Sequence, residues 1–444
     1  MAKKATTIYS CTKCGAQFPK WIGRCSGCGA WGTITEEISG TDDRKIKPVK
    51  VDKNLLVDFK NSQITDFARL ETKINEFDRV LGGGIVVGSL ILLGGAPGIG
   101  KSTLVLQICH NLKTPTLYVS GEESASQIKM RIDRLNLDFS NLKFLGENNI
   151  EKIASFIIEE KPGLVIIDSI QTLYSQELPS EAGSINQVRI CTVKLLEIAK
   201  RYNISIIIIG HVTKDGLVAG PKSLEHLVDA VLYLESTATD NFRLLRSAKN
   251  RFGSTSEIGI FNMTGTGLAE VINPSELFLP QNQEPNSGSV ITCVMEGSRP
   301  FLLETQALVT KTLFGYPQRR ASGFDSNRLQ MLIAVLVKRV QIPLLNQDIH
   351  LNVTGGLKID ETGADLAVCA AIISSFKDKI IQADTILLGE VGLGGEIRPV
   401  YQIEKRIEEA QKLKFKNIIC PVIKTEKKGL IMVKNLEEAI KKLF

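Results

Sequence analysis

The sequence predicts an α/β protein in three parts, with a small metal-binding module in front of a parallel-sheet domain and an α+β domain behind it. Three observations predict this organisation: two cysteine pairs near the N-terminus, a glycine-rich loop between an apolar strand and a helix, and a polar stretch near residue 280. Long apolar strands separated by helical stretches are typical of a parallel sheet that helices cover on both faces.

Length and composition agree with a globular protein of two or three domains. The chain has 444 residues, of which 43% are hydrophobic and 23% charged, and its formal net charge is +6. A surplus this small suits a polyanionic partner without requiring one. No apolar run approaches the ~20 residues of a membrane span, and no secretory signal is visible. We therefore expect a cytoplasmic protein that does not contact membranes.

The cysteine cluster predicts a structural zinc site. Cys11 and Cys14 form one CxxC pair, Cys25 and Cys28 form a second, and a glycine follows each pair. Two intervening residues allow both thiolates of a pair to reach one ion, and four thiolates leave no open coordination position. A redox CxxC motif would lie near a βαβ unit, and none is near. Residues 1–36 are predicted to be this zinc module, and the charged residues 37–64 to be an exposed linker.

A phosphate-binding loop begins the predicted ATPase domain, residues 65–275. The apolar strand Leu90–Gly94 runs into Gly95–Thr103, which matches the P-loop pattern in strand–loop–helix context. Backbone N–H groups of such a loop surround the phosphates, Lys101 should reach the β- and γ-phosphates, and Ser102 should bind Mg²⁺. The residues predicted to hold ATP or ADP here are Gly95, Ala96, Pro97, Gly98, Ile99, Gly100, Lys101, Ser102 and Thr103.

Two carboxylates are predicted to complete the site. Asp168 ends the apolar strand Leu164–Asp168 and should hold Mg²⁺, and Glu122 follows the strand Pro115–Ser120. Ligands of parallel sheets collect at the carboxyl ends of strands, so both side chains should converge on the phosphate loop. Glu122 is the predicted base for hydrolysis, and Glu123 is expected to be solvated. Two long loops at the same edge, residues 175–189 and 212–226, are expected to be functional.

The combination of motifs resembles a known family. The runs Phe77–Gly84, Tyr118–Ser124 and Leu164–Ser169, with the phosphate loop, resemble RecA-type ATPases. The pentapeptide Lys249–Gly253, together with the leading zinc module, closely resembles the bacterial RadA (Sms) family, and the resemblance covers nearly the whole chain.

This resemblance implies a function that the residues alone do not give. It implies a DNA-dependent ATPase, acting as a helicase or translocase, that processes recombination intermediates in DNA repair and promotes branch migration. The two long loops would contact single-stranded and branched DNA, and the RecA recombinase would be a partner. Lys249 and Arg251 would act catalytically on the ATP of a neighbouring subunit in a homo-oligomer, a hexameric ring. Without the resemblance, Lys249–Arg251 would be interpreted as a basic turn.

The predicted last domain, residues 276–444, resembles the peptidase domain of Lon proteases. Strands are predicted at Val290–Met295, Phe301–Val309 and Asp348–Thr354, and helices at Asn327–Val340, Ala364–Phe376 and Ile403–Leu413. Lon proteases use a serine–lysine dyad, but Gly363 or Ala364 stands at the serine position and Glu404 at the lysine position. Without a hydroxyl nucleophile and a base, the domain is predicted to be proteolytically inactive and to serve oligomerisation and DNA binding.

Two other functions fit the sequence less well. An ATP-dependent protease would need the missing dyad. A signalling or clock-type ATPase of the same superfamily would act on protein partners, but it leaves the zinc module and Lys249–Gly253 without a purpose.

Overall fold

The structure is a computed structural model that describes residues 6–12, 16–39, 67–211, 224–236, 242–273, 275, 279, 286–313, 315–356, 358–424 and 429–444. The chain divides into two compact units, Met1–Asp66 and Phe67–Phe444. Within the described ranges, none of the helices has the length and apolar character needed to cross a membrane.

The first unit contains a small antiparallel sheet. Its strands are β1 (Thr6–Cys11), β2 (Gln17–Phe18) and β3 (Ile34–Ser39), in the order β2-β1-β3. Cys11, Cys25 and Ile34 form its buried centre. A cluster of this size buries little apolar surface, which agrees with the predicted stabilisation of this module by a metal ion. Strand β3 continues beyond the predicted limit of the module at residue 36.

The second unit begins with the predicted α/β domain. Its elements in chain order are β4 (Arg69–Leu70), α1 (Asn75–Leu81), β5 (Ile85–Val86), β6 (Leu90–Gly95), α2 (Lys101–Asn111), β7 (Thr116–Ser120), α3 (Ala125–Leu135), β8 (Leu142–Leu145), α4 (Ile150–Glu160), β9 (Leu164–Asp168), α5 (Ile185–Tyr202), β10 (Ser205–His211), β11 (Ala230–Ser236), β12 (Phe242–Asn250), β13 (Ile258–Thr264) and β14 (Gly267–Glu270). Nine of these strands form one sheet, in the order β14-β13-β12-β11-β6-β10-β9-β7-β8.

The central strands of this sheet are parallel and buried on both faces. On β6, Leu90 and Leu92 pack in one apolar cluster and Ile91 and Leu93 in another, because successive side chains of a strand point to opposite faces. This explains the continuous apolar runs of the sequence. All the parallel strands end at one edge, where their loops form the nucleotide site.

An antiparallel extension flanks the parallel part. Strands β12, β13 and β14 continue the sheet beyond β11, each antiparallel to its neighbour. Strand β12 therefore begins near the edge of the phosphate loop and ends at the opposite edge, where Asn250 pairs with Ala230. This direction places the two ends of β12 in different functional regions.

The C-terminal part contains a second sheet. The elements of the C-terminal part, in chain order, are β15 (Ser289–Glu296), β16 (Arg299–Lys311), β17 (Arg319–Ser322), α6 (Ser326–Arg339), β18 (Gln347–Val353), α7 (Asp365–Lys377), β19 (Thr385–Leu387), β20 (Glu390–Val391), β21 (Ile397–Arg398), α8 (Ile403–Lys412), β22 (Asn417–Pro421), β23 (Leu430–Val433) and α9 (Leu436–Leu443). The sheet order is β17-β18-β16-β15-β19-β22-β23. The predicted strands and helices of this region are confirmed to within about two residues at their ends.

The turn between β15 and β16 packs against the first sheet. Arg299 donates to the buried carboxylate of Glu76 at 2.5 Å, and Arg246 on β12 donates to Glu296 at 3.0 Å. Apolar residues of β13 belong to the same buried cluster as the C-terminal helices α6 and α7. The two sheets thus share a core within one compact unit.

Candidate nucleotide site

The phosphate loop joins β6 to α2 at the carboxyl edge of the first sheet. Gly98 and Gly100 have positive φ values of 75° and 115°, which residues other than glycine rarely adopt. A Cβ on Gly100 would lie 2.7 Å from the Met263 side chain. Gly100 is the N-cap of α2, which begins at Lys101, so the N-terminal end of the helix faces the loop. This is the geometry that the predicted anion cradle requires.

Lys101 lies inside this cradle. Its ammonium group donates to the carbonyl oxygens of Gly95 and Ala96, both at 2.9 Å. Burial lowers the pKa of Lys101 to about 8, against the opposing effect of Asp168 and Glu122. A buried ammonium group held by two carbonyls is positioned to exchange them for phosphate oxygens, which carry full negative charge.

Asp168 and Ser102 come together as predicted for a Mg²⁺ site. The Ser102 hydroxyl donates to Oδ2 of Asp168 at 2.9 Å, and the buried hydroxyl of Tyr118 donates to the same oxygen. A hydroxyl and a carboxylate oxygen are ligands that Mg²⁺ prefers, together with phosphates and waters. The donor set thus fits the ion, and Tyr118 is a contact that the sequence reasoning missed. Burial raises the pKa of the Tyr118 phenol, and the neighbouring Asp168 raises it further.

The two adjacent glutamates have different partners. Glu122 Oε1 accepts a hydrogen bond of 2.5 Å from Ser169, the residue after Asp168. Glu123 forms a two-pronged ion pair with Arg131 on α3, at 2.7 and 2.5 Å. The expectation that Glu123 is solvated is wrong, because the helix after β7 turns Arg131 back onto it. Of the two carboxylates, Glu122 is the one that faces the Asp168 side of the site.

A cavity lies beside the phosphate loop. It has a volume of about 460 Å³ and lies beside Gly98, Gly100 and Thr103, with the β13–β14 turn and Arg134 and Arg243 on its other sides. Arg243 donates to the carbonyl oxygen of Ile99 at 3.1 Å. The sequence reasoning missed this half of the site. No local motif marks it, because the turn follows the phosphate loop by more than 150 residues and only the antiparallel extension brings it back.

Lys249 and Arg251 lie far from the phosphate loop of their own chain. The Arg251 backbone N–H donates to the carbonyl of Asp229 at 3.1 Å, and Asp229 N–H donates to Leu90, the first residue of β6. The Lys249 ammonium group donates to the carbonyls of Glu225 and Val228, at 2.6 and 2.9 Å. Burial and the charge of Arg251 lower the pKa of Lys249. Because β6 ends in the phosphate loop, these cations occupy the opposite edge of the sheet.

The turn that carries these cations is packed tightly against α1. Arg69 donates to the Phe252 carbonyl at 3.0 Å, and the rings of Phe67 and Phe252 meet edge to face with centroids 5.2 Å apart. Gly253 lies against the Gly82 backbone, where a Cβ on Gly82 would be 3.6 Å from the Gly253 Cα. The side chain of Arg251 remains 54% exposed and contacts Asp229 at 3.5 Å. A rigid backbone thus presents an exposed guanidinium.

Three of the four predicted zinc ligands converge. The sulfur atoms of Cys11, Cys25 and Cys28 all lie within 4.8 Å of one another, and those of Cys11 and Cys28 are 3.7 Å apart. Tetrahedral coordination at a Zn–S distance of about 2.3 Å places two sulfurs roughly 3.8 Å apart, so the spacing fits zinc. Cys14 lies outside the described residues.

At the predicted peptidase site, an ion pair stands where a dyad would be needed. Gly363 and Ala364 are buried, and a Cβ on Gly363 would lie 2.6 Å from the Arg406 guanidinium. Arg406 is fully buried and donates twice to Glu361, both at 2.6 Å. Glu404 and Lys405 are exposed on the outer side of α8. Sequence reasoning placed Glu404 at the lysine position, whereas the side chain that reaches Gly363 is Arg406.

Fold and site together define a P-loop ATPase that carries a zinc ribbon. Family models agree with this class: residues 57–217 match an AAA domain, residues 9–36 a rubredoxin metal binding domain, and residues 321–424 subunit ChlI of Mg-chelatase. Among solved structures, that of the RadB recombinase covers 46% of this chain and 99% of its own at 22% identity, with a TM-score of 0.38.

Curated relatives identify the family. The DNA repair protein RadA of Bacillus subtilis is 47% identical over 458 residues, covering 99% of this chain and 98% of that protein. The DNA repair protein RadA of Streptococcus pyogenes serotype M1 is 49% identical over 428 residues, covering 95% and 93%. The chain belongs to the RadA family of DNA repair proteins. The predicted RecA-like core, zinc ribbon and Lon-like C-terminal domain are thereby confirmed.

Proposed function

We propose that this protein is a DNA-dependent ATPase that processes recombination intermediates during DNA repair. It acts as a ring-shaped translocase or helicase that promotes branch migration on single-stranded and branched DNA. The ring is a homo-oligomer, a hexamer by the family resemblance, located in the cytoplasm, and the RecA recombinase is a partner. The ATPase domain spans residues 65–275 and the Lon-like domain residues 276–444.

The position of Arg251 is the observation that carries this proposal. Strand β6 has 6 residues and leads from the level of Arg251 to the phosphate loop, so the two edges are roughly 16 Å apart. An arginine side chain cannot bridge that distance within one chain. An exposed arginine on a rigid edge, opposite the ATP site and with Lys249 beside it, suits a head-to-tail assembly in which each subunit completes its neighbour's site.

Hydrolysis follows from the residues at the carboxyl edge. Lys101 and the loop N–H groups hold the phosphates, and Glu122 takes a proton from the attacking water. Ser102 and Asp168 would hold Mg²⁺, which supplies positive charge to the β- and γ-phosphate oxygens. Lys249 and Arg251 of the adjacent subunit would stabilise the charge that develops on the transferred phosphoryl group.

The predicted loop at residues 175–189 runs into α5, which begins at Ile185, and it holds a defined shape at the same edge. The Gln187 amide nitrogen donates to the carbonyls of Ser175, Leu178 and Ser180, at 3.1, 2.8 and 3.0 Å. The Lys194 ammonium group contacts Glu151 and Glu177, at 2.7 and 2.8 Å. A preorganised loop beside the hydrolysis site supports a DNA contact that is coupled to ATP turnover. Residues 212–223 of the second loop lie outside the described residues.

The Lon-like domain is proposed to serve assembly and DNA binding without peptidase activity. The Arg406–Glu361 pair fills the space beside Gly363, so a nucleophile has no room there. This supports a scaffold role for the domain and disfavours the ATP-dependent protease alternative.

The deciding experiment is ATP hydrolysis by the full chain, with and without single-stranded DNA, in wild type and in Lys249→Ala. Stimulation by DNA in wild type and its loss in the variant are expected. An absence of stimulation in wild type would favour the alternative, a signalling-type ATPase of the same fold that acts on protein partners. Stimulation that persists in Lys249→Ala would remove this lysine from the coupling between DNA and ATP.

A further inference from the structure

We propose that Tyr118 is a positioning residue for the divalent cation, which fixes the Asp168 carboxylate from inside the sheet. The inference rests on the assignment of Asp168 to the Mg²⁺ site in the proposed function. It is independent of DNA binding and of oligomerisation.

The geometry comes from two neighbouring strands. Tyr118 lies in the middle of β7 and pairs with Ile166 of β9, two residues before Asp168. Its side chain is fully buried, and its hydroxyl donates to Oδ2 of Asp168. A buried phenol must find an acceptor, and an ionised carboxylate accepts only, so the direction of this bond is fixed.

Two hydroxyl groups bond the same carboxylate oxygen of Asp168. Within the part of the chain that the structure describes, the side-chain hydroxyls that bond Asp168 are those of Tyr118 and Ser102, and both donate to Oδ2. Ser102 is itself assigned to Mg²⁺, so its hydroxyl leaves Asp168 when the ion is bound. Tyr118 is then the donor that keeps Oδ2, the carboxylate oxygen that faces Ser102, in place.

Such an anchor affects metal affinity more than nucleotide affinity. Partners that orient a ligand carboxylate typically change metal affinity or activity by roughly 10- to 100-fold when they are removed. Phenylalanine would fill the same buried space, because it lacks only the hydroxyl oxygen. The change therefore frees the carboxylate without opening a cavity at the ring.

The test measures binding of Mn²⁺ to the full chain, with a non-hydrolysable ATP analogue, by electron paramagnetic resonance of the free ion. Tyr118→Phe is expected to weaken Mn²⁺ binding roughly ten-fold. Binding of the analogue without metal should stay within about two-fold. Tyr233→Phe is the matched control, because the Tyr233 hydroxyl donates to Glu225 at 3.0 Å and not to a residue assigned to Mg²⁺. Thermal unfolding of both variants checks that the fold is retained.

A double-mutant cycle of Tyr118→Phe with Asp168→Asn separates positioning of the carboxylate from a general structural effect. If Tyr118 acts through the carboxylate, Tyr118→Phe has no further effect on Mn²⁺ binding in the Asp168→Asn background. An unchanged Mn²⁺ affinity in Tyr118→Phe, or an equal loss in both backgrounds, would overturn the inference. If Asp168→Asn alone leaves Mn²⁺ binding intact, the Mg²⁺ assignment fails, and the inference fails with it for a reason that the cycle identifies.

Discussion

Arg251 and Gly95 lie at opposite edges of one sheet, connected through Asp229 and the strand that begins at Leu90. A single chain therefore holds phosphates at one edge and an exposed arginine at the other. The arrangement has a direct test in mixed assemblies.

We expect Arg251→Ala and Asp168→Ala to be inactive alone and to regain ATP hydrolysis when mixed. The first variant keeps its phosphate site and the second keeps its arginine, so an interface between them is complete. The measurement is steady-state hydrolysis against the mixing ratio. Arg201→Ala, an exposed cation at the same edge, is the control and should hydrolyse ATP alone. Mixtures that show no recovery at any ratio would argue for a site within one subunit.

Glu122→Gln should lower the rate of ATP hydrolysis by at least about 100-fold and leave ATP binding intact, because the amide cannot accept the proton. Glu123→Gln is the matched variant. It loses the ion pair with Arg131 and should retain most of the turnover. Rates come from phosphate release and affinities from fluorescent ATP titration. Normal turnover in Glu122→Gln, with a collapse in Glu123→Gln, would exchange the two roles.

The loop at residues 175–189 should loosen when Glu151 loses its charge. Burial acts to raise the pKa of Glu151, but hydrogen bonds from Lys194 and Ser175 lower it to about 2. The folded-state pKa is thus below the usual 4.5, so this contribution to stability is complete above pH 4.5 and is lost as the pH falls towards 2.

Glu151→Gln mimics that loss at neutral pH. Hydrogen exchange of residues 175–187 should become faster in this variant, and DNA stimulation of ATP hydrolysis should fall. Glu159→Gln on the exposed side of the same helix is the control. Unchanged exchange in Glu151→Gln would show that Gln187 holds the loop without help.

Zinc should bind at one ion per chain, and Cys28→Ser should release it. Loss of one thiolate breaks the closed shell, and the small sheet then loses its main source of folding free energy. Metal content is measured by mass spectrometry. Ser26→Ala, on the same turn, should retain zinc. Hydrolysis without DNA should persist in Cys28→Ser, since the phosphate site belongs to the other compact unit.

Arg406→Ala should destabilise the protein by about 3 kcal/mol, because it leaves the Glu361 carboxylate without its buried partner. Lys405→Ala, one residue earlier and exposed, should leave the stability nearly unchanged.

Gly363→Ser should lower the melting temperature and yield no peptidase activity on casein. Cleavage of casein by Gly363→Ser would contradict a domain in which Arg406 excludes the nucleophile.

Much of the site was predictable because strand direction determines it. Gly95, Asp168 and the residues after Ser120 end parallel strands, so their meeting follows from the order of the chain alone. Contacts that depend on rotation about a helix axis were not predictable. The start of α8 at Ile403 turns Arg406 inward with Ile407 and leaves Glu404 outside.

Two contacts that depend on how neighbouring elements pack were also missed, one between nearby residues and one between distant segments. Arg131 reaches Glu123 only because α3 folds back over β7, and Arg243 reaches Ile99 across the antiparallel extension. Neither pairing leaves a pattern in the local sequence. A motif search therefore finds the phosphate loop and overlooks the cavity that the β13–β14 turn forms beside it.

Strand β12 carries Arg243 at its start, against the phosphate loop, and Lys249 near its end, at the far edge. In the proposed assembly, this one strand touches two ATP molecules, its own subunit's and the neighbour's. Hydrogen bonds on both sides make it stiff, so a displacement at one end is passed to the other. Such a connection favours sequential ATP hydrolysis, in which hydrolysis in one subunit triggers hydrolysis in the next, over independent hydrolysis at every site.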